Sequence, residues 1–171
     1  MDPELLTLAP AAFDNLYHAG YLVPDLRAGM EHFARLLQIT WATPFEMESG
    51  FETATGEPDS DPVRIAFSNQ GPPFLELIEV VPRAGSIFAE PSAGGLHHVG
   101  IYAERWRDEA ARLCGEGMEL ERTGAGVAFV RDPRLGVRIE VVSFRGREFL
   151  QRILSGEMGA THPLRDRPGA G

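Results

Sequence analysis

The strongest constraint on this chain is an internal repeat. Tyr17-His18-Ala19-Gly20-Tyr21-Leu22-Val23 returns in near-identical form as His97-His98-Val99-Gly100-Ile101-Tyr102-Ala103. The alignment pairs His18 with His98 and sets Tyr17 against His97. Each copy reads as a strand, the second entered through Gly94-Gly95. Side chains alternate along a strand, so His97 and His98 can serve one site only if that strand is distorted.

The order of elements after each copy is also the same. In the first half, Asp25 is a candidate N-cap, and Leu26, Met30, Phe33, Leu36 and Leu37 recur at helical spacing. Three strands are expected after that helix, at Trp41–Met47, Val63–Ser68 and Phe74–Val81, with the turn Gly71-Pro72-Pro73 before the last. The acidic run from Glu46 to Asp61 reads as a solvated loop. In the second half, Trp106, Ala110, Leu113 and Cys114 mark a helix that stops at Gly115 and Gly117. Shorter strands follow at Glu119–Arg122, Val127–Arg131 and Val137–Val142. Phe149, Leu150, Ile153 and Leu154 predict a closing helix.

The chain therefore reads as α+β, strand-helix-strand-strand-strand written twice. The expected boundaries are an N-terminal arm over 1–15, a first βαβββ module over 16–82 and a Gly/Pro/Ala/Ser-rich linker over 83–95. A second module covers 96–144, a C-terminal helix 145–160 and a mobile tail 161–171. Two modules too small to close a core alone pack about a pseudo-twofold axis, with a cleft where their sheets face.

Bulk properties exclude several classes. A net charge of −9 argues against a nucleic-acid groove, which needs clustered Lys and Arg. No apolar run reaches the roughly 18–20 residues of a membrane span. Met1-Asp2-Pro3-Glu4 lacks a basic signal-peptide start, and a lone cysteine, Cys114, fits a reducing cytoplasm as buried filler beside Leu113.

Chemistry concentrates at equivalent points of the repeat. His18 and His98 open the first strands, and Glu76 and Glu140 lie within the last strands, flanked by Leu, Ile or Val. A carboxylate in such surroundings is costly to bury without a partner, and two of them are easier to explain with a cation between them. Two imidazoles and two carboxylates suit one Zn, Ni, Co, Mn or Fe(II) ion. Glu79 rivals Glu76, because three positions along a strand reverse the face. His32 and His162 have no such counterpart, and His97 is expected to face away from the cleft, its service behind a ligand left open. Arg64, Arg131 and Arg138 are basic residues near the cleft that read best as surface charge. Phe67, Phe74, Tyr102 and Phe129 are candidate aromatic walls for a bound small molecule.

At these residues the sequence resembles the vicinal oxygen chelate superfamily, which includes glyoxalase I, methylmalonyl-CoA epimerase, extradiol dioxygenases and the fosfomycin- and bleomycin-resistance proteins. Tyr17-His18-Ala19-Gly20 with Val23-Pro24-Asp25-Leu26, and Gly94-Gly95-Leu96-His97-His98, are most similar to the glyoxalase I and epimerase branches. The resemblance implies paired βαβββ modules forming a half-open mixed β-barrel with flanking helices, around one divalent metal on His18, Glu76, His98 and Glu140. It implies a metal-dependent lyase or isomerase acting on a small molecule with neighbouring oxygens, with Glu140 or Glu76 moving the proton. The alternatives are an Fe(II) or Mn(II) dioxygenase and a non-catalytic binder. At the position of the epimerases' catalytic Glu, on the third strand of the first module, the nearest equivalent is Arg64. A homodimer, through an exposed fourth strand or the termini, is compatible with the sequence.

Overall fold

The computed structural model describes residues 15–80, 85–89 and 94–165. Nearly all of the expected N-terminal arm, part of the linker and the end of the tail lie outside these residues. The first module runs β1 (Leu16–Leu22), α1 (Leu26–Leu37), β2 (Phe45–Thr53), β3 (Pro58–Phe67) and β4 (Phe74–Val80). The second runs β5 (Gly95–Tyr102), α2 (Trp106–Gly115), β6 (Glu119–Gly124), β7 (Val127–Arg131) and β8 (Arg138–Val142). Two helices end the chain, α3 (Phe144–Leu154) and α4 (Glu157–Thr161).

The strands close a barrel in the order β1-β4-β3-β2-β6-β7-β8-β5. Within each module the first strand lies parallel to the last, β1 with β4 and β5 with β8. The modules join antiparallel, through β1 with β5 and through a short contact of β2 with β6. That second contact closes the barrel expected to stand half open. β4 lies between β1 and β3, so the exposed fourth strand expected to support a dimer offers no free edge.

The acidic run is the main departure from the sequence reading. Glu46 to Asp61 is not a loop but most of the β2–β3 hairpin, turned through Gly56 in the left-handed region (φ 84°). The second strand accordingly begins at Phe45, and Trp41 makes only an isolated bridge to Ser68. Alternation accounts for the error. Phe45, Met47, Ser49 and Phe51 face the barrel interior, which leaves Glu46, Glu48 and Glu52 on the other face. The charges mark one side of a strand.

α1 starts where expected: the Asp25 side chain accepts from the Ala28 amide at 2.8 Å. α1 covers the outer face of β3 and β4 through Leu26, Ala66 and Leu77, and α2 covers β7 and β8 through Trp106, Ala110, Leu113, Ala128, Val130 and Val141. Cys114 is half-buried against that second cluster. The barrel interior holds Phe45, Val63, Ile65, Ile78 and Phe129, and α3 and α4 add Leu150, Ile153 and Met158. The start of the segment expected to be mobile is anchored. Pro163 bridges to Phe45, Leu164 packs near α1, and the Arg165 amide donates to Glu46 at 3.1 Å.

Candidate metal centre

Two registers assemble the site. β1 and β5 run antiparallel with His18 opposite Gly100 and Gly20 opposite His98. Each imidazole lies over the other module's glycine: a Cβ on Gly20 would stand 2.1 Å from Cε1 of His98, and one on Gly100 2.1 Å from Cε1 of His18. Neither glycine has a left-handed φ, so the missing side chain, not backbone freedom, is what the site uses. The parallel pairings β1–β4 and β5–β8 then set Glu76 beside Gly20 and Glu140 beside Gly100.

The four side chains meet inside the barrel. Nε2 of His18 is 2.9 Å from Nε2 of His98. Glu140 Oε2 lies 2.8 Å from His18 Nε2 and 3.5 Å from His98 Nε2, and Glu76 Oε2 lies 3.4 and 3.3 Å from the same atoms. Both histidines are 2% exposed. Donors bound to one divalent ion at about 2.0–2.2 Å stand roughly 3–3.5 Å from each other, close to the 2.8–3.5 Å seen here. Two imidazoles would not aim nitrogens at each other beside a buried and a half-buried carboxylate without a cation or proton between them. The donor set therefore fits a divalent metal, and among the described residues the ligand atoms of His18, Glu76 and His98 all lie within 4.8 Å of one another.

The electrostatics of the four side chains agree. Burial alone would lower the pKa of His98, but hydrogen bonds to Glu140 and Glu76 raise it to about 9. Burial alone would raise that of Glu140, yet His18 and His98 hold it well below the usual carboxylate range. Burial, then the charges of Glu140 and Glu76, push the Tyr17 phenol up, and its hydroxyl donates to the Gly146 carbonyl at 3.1 Å.

Glu79 lies on the opposite face of β4. Its carboxylate accepts from the Leu26 amide at the start of α1 (2.5 Å) and from Arg64 (3.1 Å). Arg64 in turn reaches Glu46 at 3.6 Å, which completes a row of charges across β2, β3 and β4 outside the barrel. Arg64 therefore does not line the cavity, and Arg138 is tied to Glu121 at 2.5 Å. His32 lies exposed on α1, bonded to Arg35.

A cavity of about 630 Å³ opens onto the four side chains. Phe67 and Phe129 line it, whereas Phe74 and Tyr102 lie outside its lining. Phe74 stands edge-on to Tyr17, and Tyr102 takes the Arg147 guanidinium over its ring. Phe51, Phe88 and Phe149 form walls that the sequence reading missed, and Arg145, Glu148 and Arg152 of α3 add charge to the lining. Phe51 sat in the misread acidic run and Phe88 in the linker. The alternation from Phe45 to Phe51 carried the signal for the first, and nothing comparable marked the second.

His97 is 4% exposed, and neither its place nor its contacts follow from simple alternation. Along the β1–β5 pairing, Gly20 and Tyr21 oppose His98 and Leu96, so His97 is an extra, bulged residue. Tyr17 occupies the matching bulge in β1. His97 lies against Phe88, His98 and Phe129, outside the cavity lining, and burial, His98 and Arg138 push its pKa down to about 3.

Among solved structures, the fold is similar to methylmalonyl-CoA epimerase from Mycobacterium tuberculosis, with 20% identity and a TM-score of 0.52 over 75% of this chain and 87% of that one. A hypothetical protein from Bacillus halodurans C-125 aligns at 20% identity and a TM-score of 0.51, over 75% of this chain and 92% of that one. A mutant of 4-hydroxymandelate synthase from Streptomyces coelicolor aligns at 16% identity and 0.53, over 75% of this chain but 48% of that one. At such identities the likeness speaks for the fold alone. No curated protein matches in sequence. Residues 17–132, most of the chain, match the model of one family. The chain belongs to the glyoxalase/bleomycin resistance protein/dioxygenase superfamily.

Proposed function

We propose that this chain is a divalent-metal-dependent lyase or isomerase that moves a proton on the carbon next to a carbonyl. The observation that supports this most is the convergence of two imidazoles and two carboxylates at a largely apolar cavity of about 630 Å³. His18, Glu76, His98 and Glu140 are the residues that would hold the ion. When bound, it supplies Lewis acidity toward a carbonyl and a neighbouring oxygen of the substrate.

The protein's own groups account for the rest. The Glu140 side chain is 17% exposed against 10% for Glu76, so Glu140 presents more carboxylate to the cavity and is the better placed base. It takes the proton from the carbon and returns it, and Glu76 is second choice. The rings of Phe51, Phe67, Phe88 and Phe129 and the apolar side of α3 hold a compact apolar body. Such a substrate carries vicinal oxygens at one end only.

Oxygen chemistry is served by two histidines and one carboxylate with open positions. A second carboxylate at this cluster takes up one of those positions and favours the lyase or isomerase reading. A pure binding protein has no use for a buried and a half-buried carboxylate side by side, a placement that is costly without a cation.

The test is metal content after purification without chelators, beside the His98→Ala variant, followed by solvent deuterium exchange into α-hydroxy ketones and 2-oxo acids. About one transition ion per chain, lost in the variant, and exchange lost in Glu140→Gln are the expected results. A protein that takes up no ion after reconstitution ends the reading. Bound iron with substrate-dependent oxygen uptake replaces it with the dioxygenase.

A further inference from the structure

The two imidazoles of the cluster look equivalent from the front and differ behind. Nδ1 of His18 has no hydrogen-bond partner among the described residues. Nδ1 of His98 lies 2.8 Å from Nδ1 of His97, and Nε2 of His97 lies 2.9 Å from the Ile87 carbonyl oxygen. A carbonyl only accepts, so the Nε2 of His97 carries the proton and donates it. A neutral His97 then has a lone pair on Nδ1, and the short contact between the two Nδ1 atoms is made by the proton on His98. The single proton of a neutral His98 is thereby placed on Nδ1, and the lone pair of its Nε2 points at His18, Glu76 and Glu140.

The bulge is what makes this contact available. Without the extra residue, His97 would leave the interior by alternation and His98 would be as unsupported as His18. In the first module the bulged residue is Tyr17, whose hydroxyl is turned away to Gly146 of α3. The ring of His97 is itself clamped, 5.1 Å from Phe88 and 6.2 Å from Phe129 between centroids. Ile87 and Phe88 belong to a buried 3-10 turn in the inter-module segment. A connection between modules thus reaches one ligand of the cluster through a single side chain.

We infer that His97 is a positioning residue, which fixes the tautomer and orientation of His98 and makes it the better-organised of the two imidazole ligands. The inference rests on the metal-dependent reading for its consequence, since an oriented Nε2 lone pair matters most to an ion. Hydrogen-bonded partners behind ligating histidines contribute about 10- to 100-fold in metal affinity, and among the described residues His97 is the one placed to do so.

Three substitutions separate this role from packing. The Oδ1 of Asn overlays the position of imidazole Nδ1, so His97→Asn can still accept from His98. His97→Gln overlays Nε2 and keeps only the bond to Ile87, and His97→Phe keeps neither while filling the space. Zn(II) and Ni(II) affinity is measured by competition with a chromophoric chelator, with thermal melting of each metal-free protein alongside. The expected order is a loss of about 10- to 100-fold in the Phe and Gln variants, with Asn much closer to wild type. Equal affinity in wild type and His97→Phe overturns the role, as does an Asn variant as weak as Phe.

A second readout needs neither metal nor variants that fold well. Nitrogen-15 spectra of the metal-free wild type, recorded at a pH where His98 is neutral, should show a slowly exchanging proton on Nδ1 of His98, none on its Nε2, and an unprotonated Nδ1 on His97. The reverse pattern overturns the inference. A wild type that binds no ion would sink the metal reading, while these spectra would still decide the placement of the proton.

Discussion

Gly20→Ala is the smallest change that tests how the two modules build one site. Taken alone, an Ala in a strand is favoured over Gly by roughly 0.5–1 kcal/mol, because Gly loses more backbone freedom on folding. Gly20 has an ordinary φ, so its backbone accepts Ala without strain. The new methyl, however, would stand 2.1 Å from Cε1 and 2.6 Å from both ring nitrogens of His98. Carbon atoms pack at about 3.5–4.0 Å, so the ring must retreat by roughly 1.5 Å, several times the roughly 0.2 Å tolerance of a metal ligand. Overpacking of this kind costs about 1–3 kcal/mol, which outweighs the strand preference and leaves a net loss near 1–2 kcal/mol. Melting of the metal-free variant should fall by roughly 2–8 °C, and its Zn(II) affinity should approach that of His98→Ala. A variant that melts at or above wild type and binds Zn(II) as tightly would refute the steric reasoning. Gly100→Ala repeats the test on His18 from the other module.

Glu140→Gln should retain bound metal and lose deuterium exchange into substrate, whereas a variant with intact exchange passes the base role to Glu76. Glu79→Ala strips the Leu26 amide and the Arg64 guanidinium of a partner and should cost about 2–3 kcal/mol in denaturant unfolding, with metal affinity unchanged. A drop in affinity there would place Glu79 in the ligand set. For pH, the His98 pKa lies above its unfolded value, so its stabilisation of the metal-free protein is full below pH 6.5 and lost as pH rises through about 9. Glu140 has the opposite sign: its contribution is present above the ordinary carboxylate pKa and is lost on acidification through its depressed one. Metal must displace the proton of His98, so affinity measured against pH should climb about tenfold per unit up to about pH 9 and then level off.

How much of this was legible in the chain depends on the length scale of the signal. The repeat is long, and it placed β1, α1, β4, β5 and α2 to within a residue or two. It also brought forward His18, His98, Glu76 and Glu140 as a set, because each strand pairing carries one residue type to the same place in both halves. The β2–β3 hairpin was lost because the outward glutamates outweighed the alternating Phe45, Met47, Ser49 and Phe51. Glu76 and Glu79 could not be ranked until α1 was seen to place its first amide over Glu79. The bulges at Tyr17 and His97 were beyond reach. A bulge is a property of the pairing between two strands, and neither strand announces it.

The modules are joined along two seams of unequal length. β1 and β5 pair along nearly their whole lengths, whereas β2 and β6 share only Phe51–Thr53 with Arg122–Gly124. The ion pair of Arg122 with Asp59 (2.7 Å) buttresses the short seam. The molecule is thus built like a clamshell with its spine at β1–β5 and its lip at β2–β6. Thermal breathing goes first to the lip, where the fewest backbone bonds must break. His18 and His98 sit in the spine. The walls at Phe51 and Val127 can part there while the histidines keep their places, which separates admission of a ligand from upkeep of the residues that would meet it.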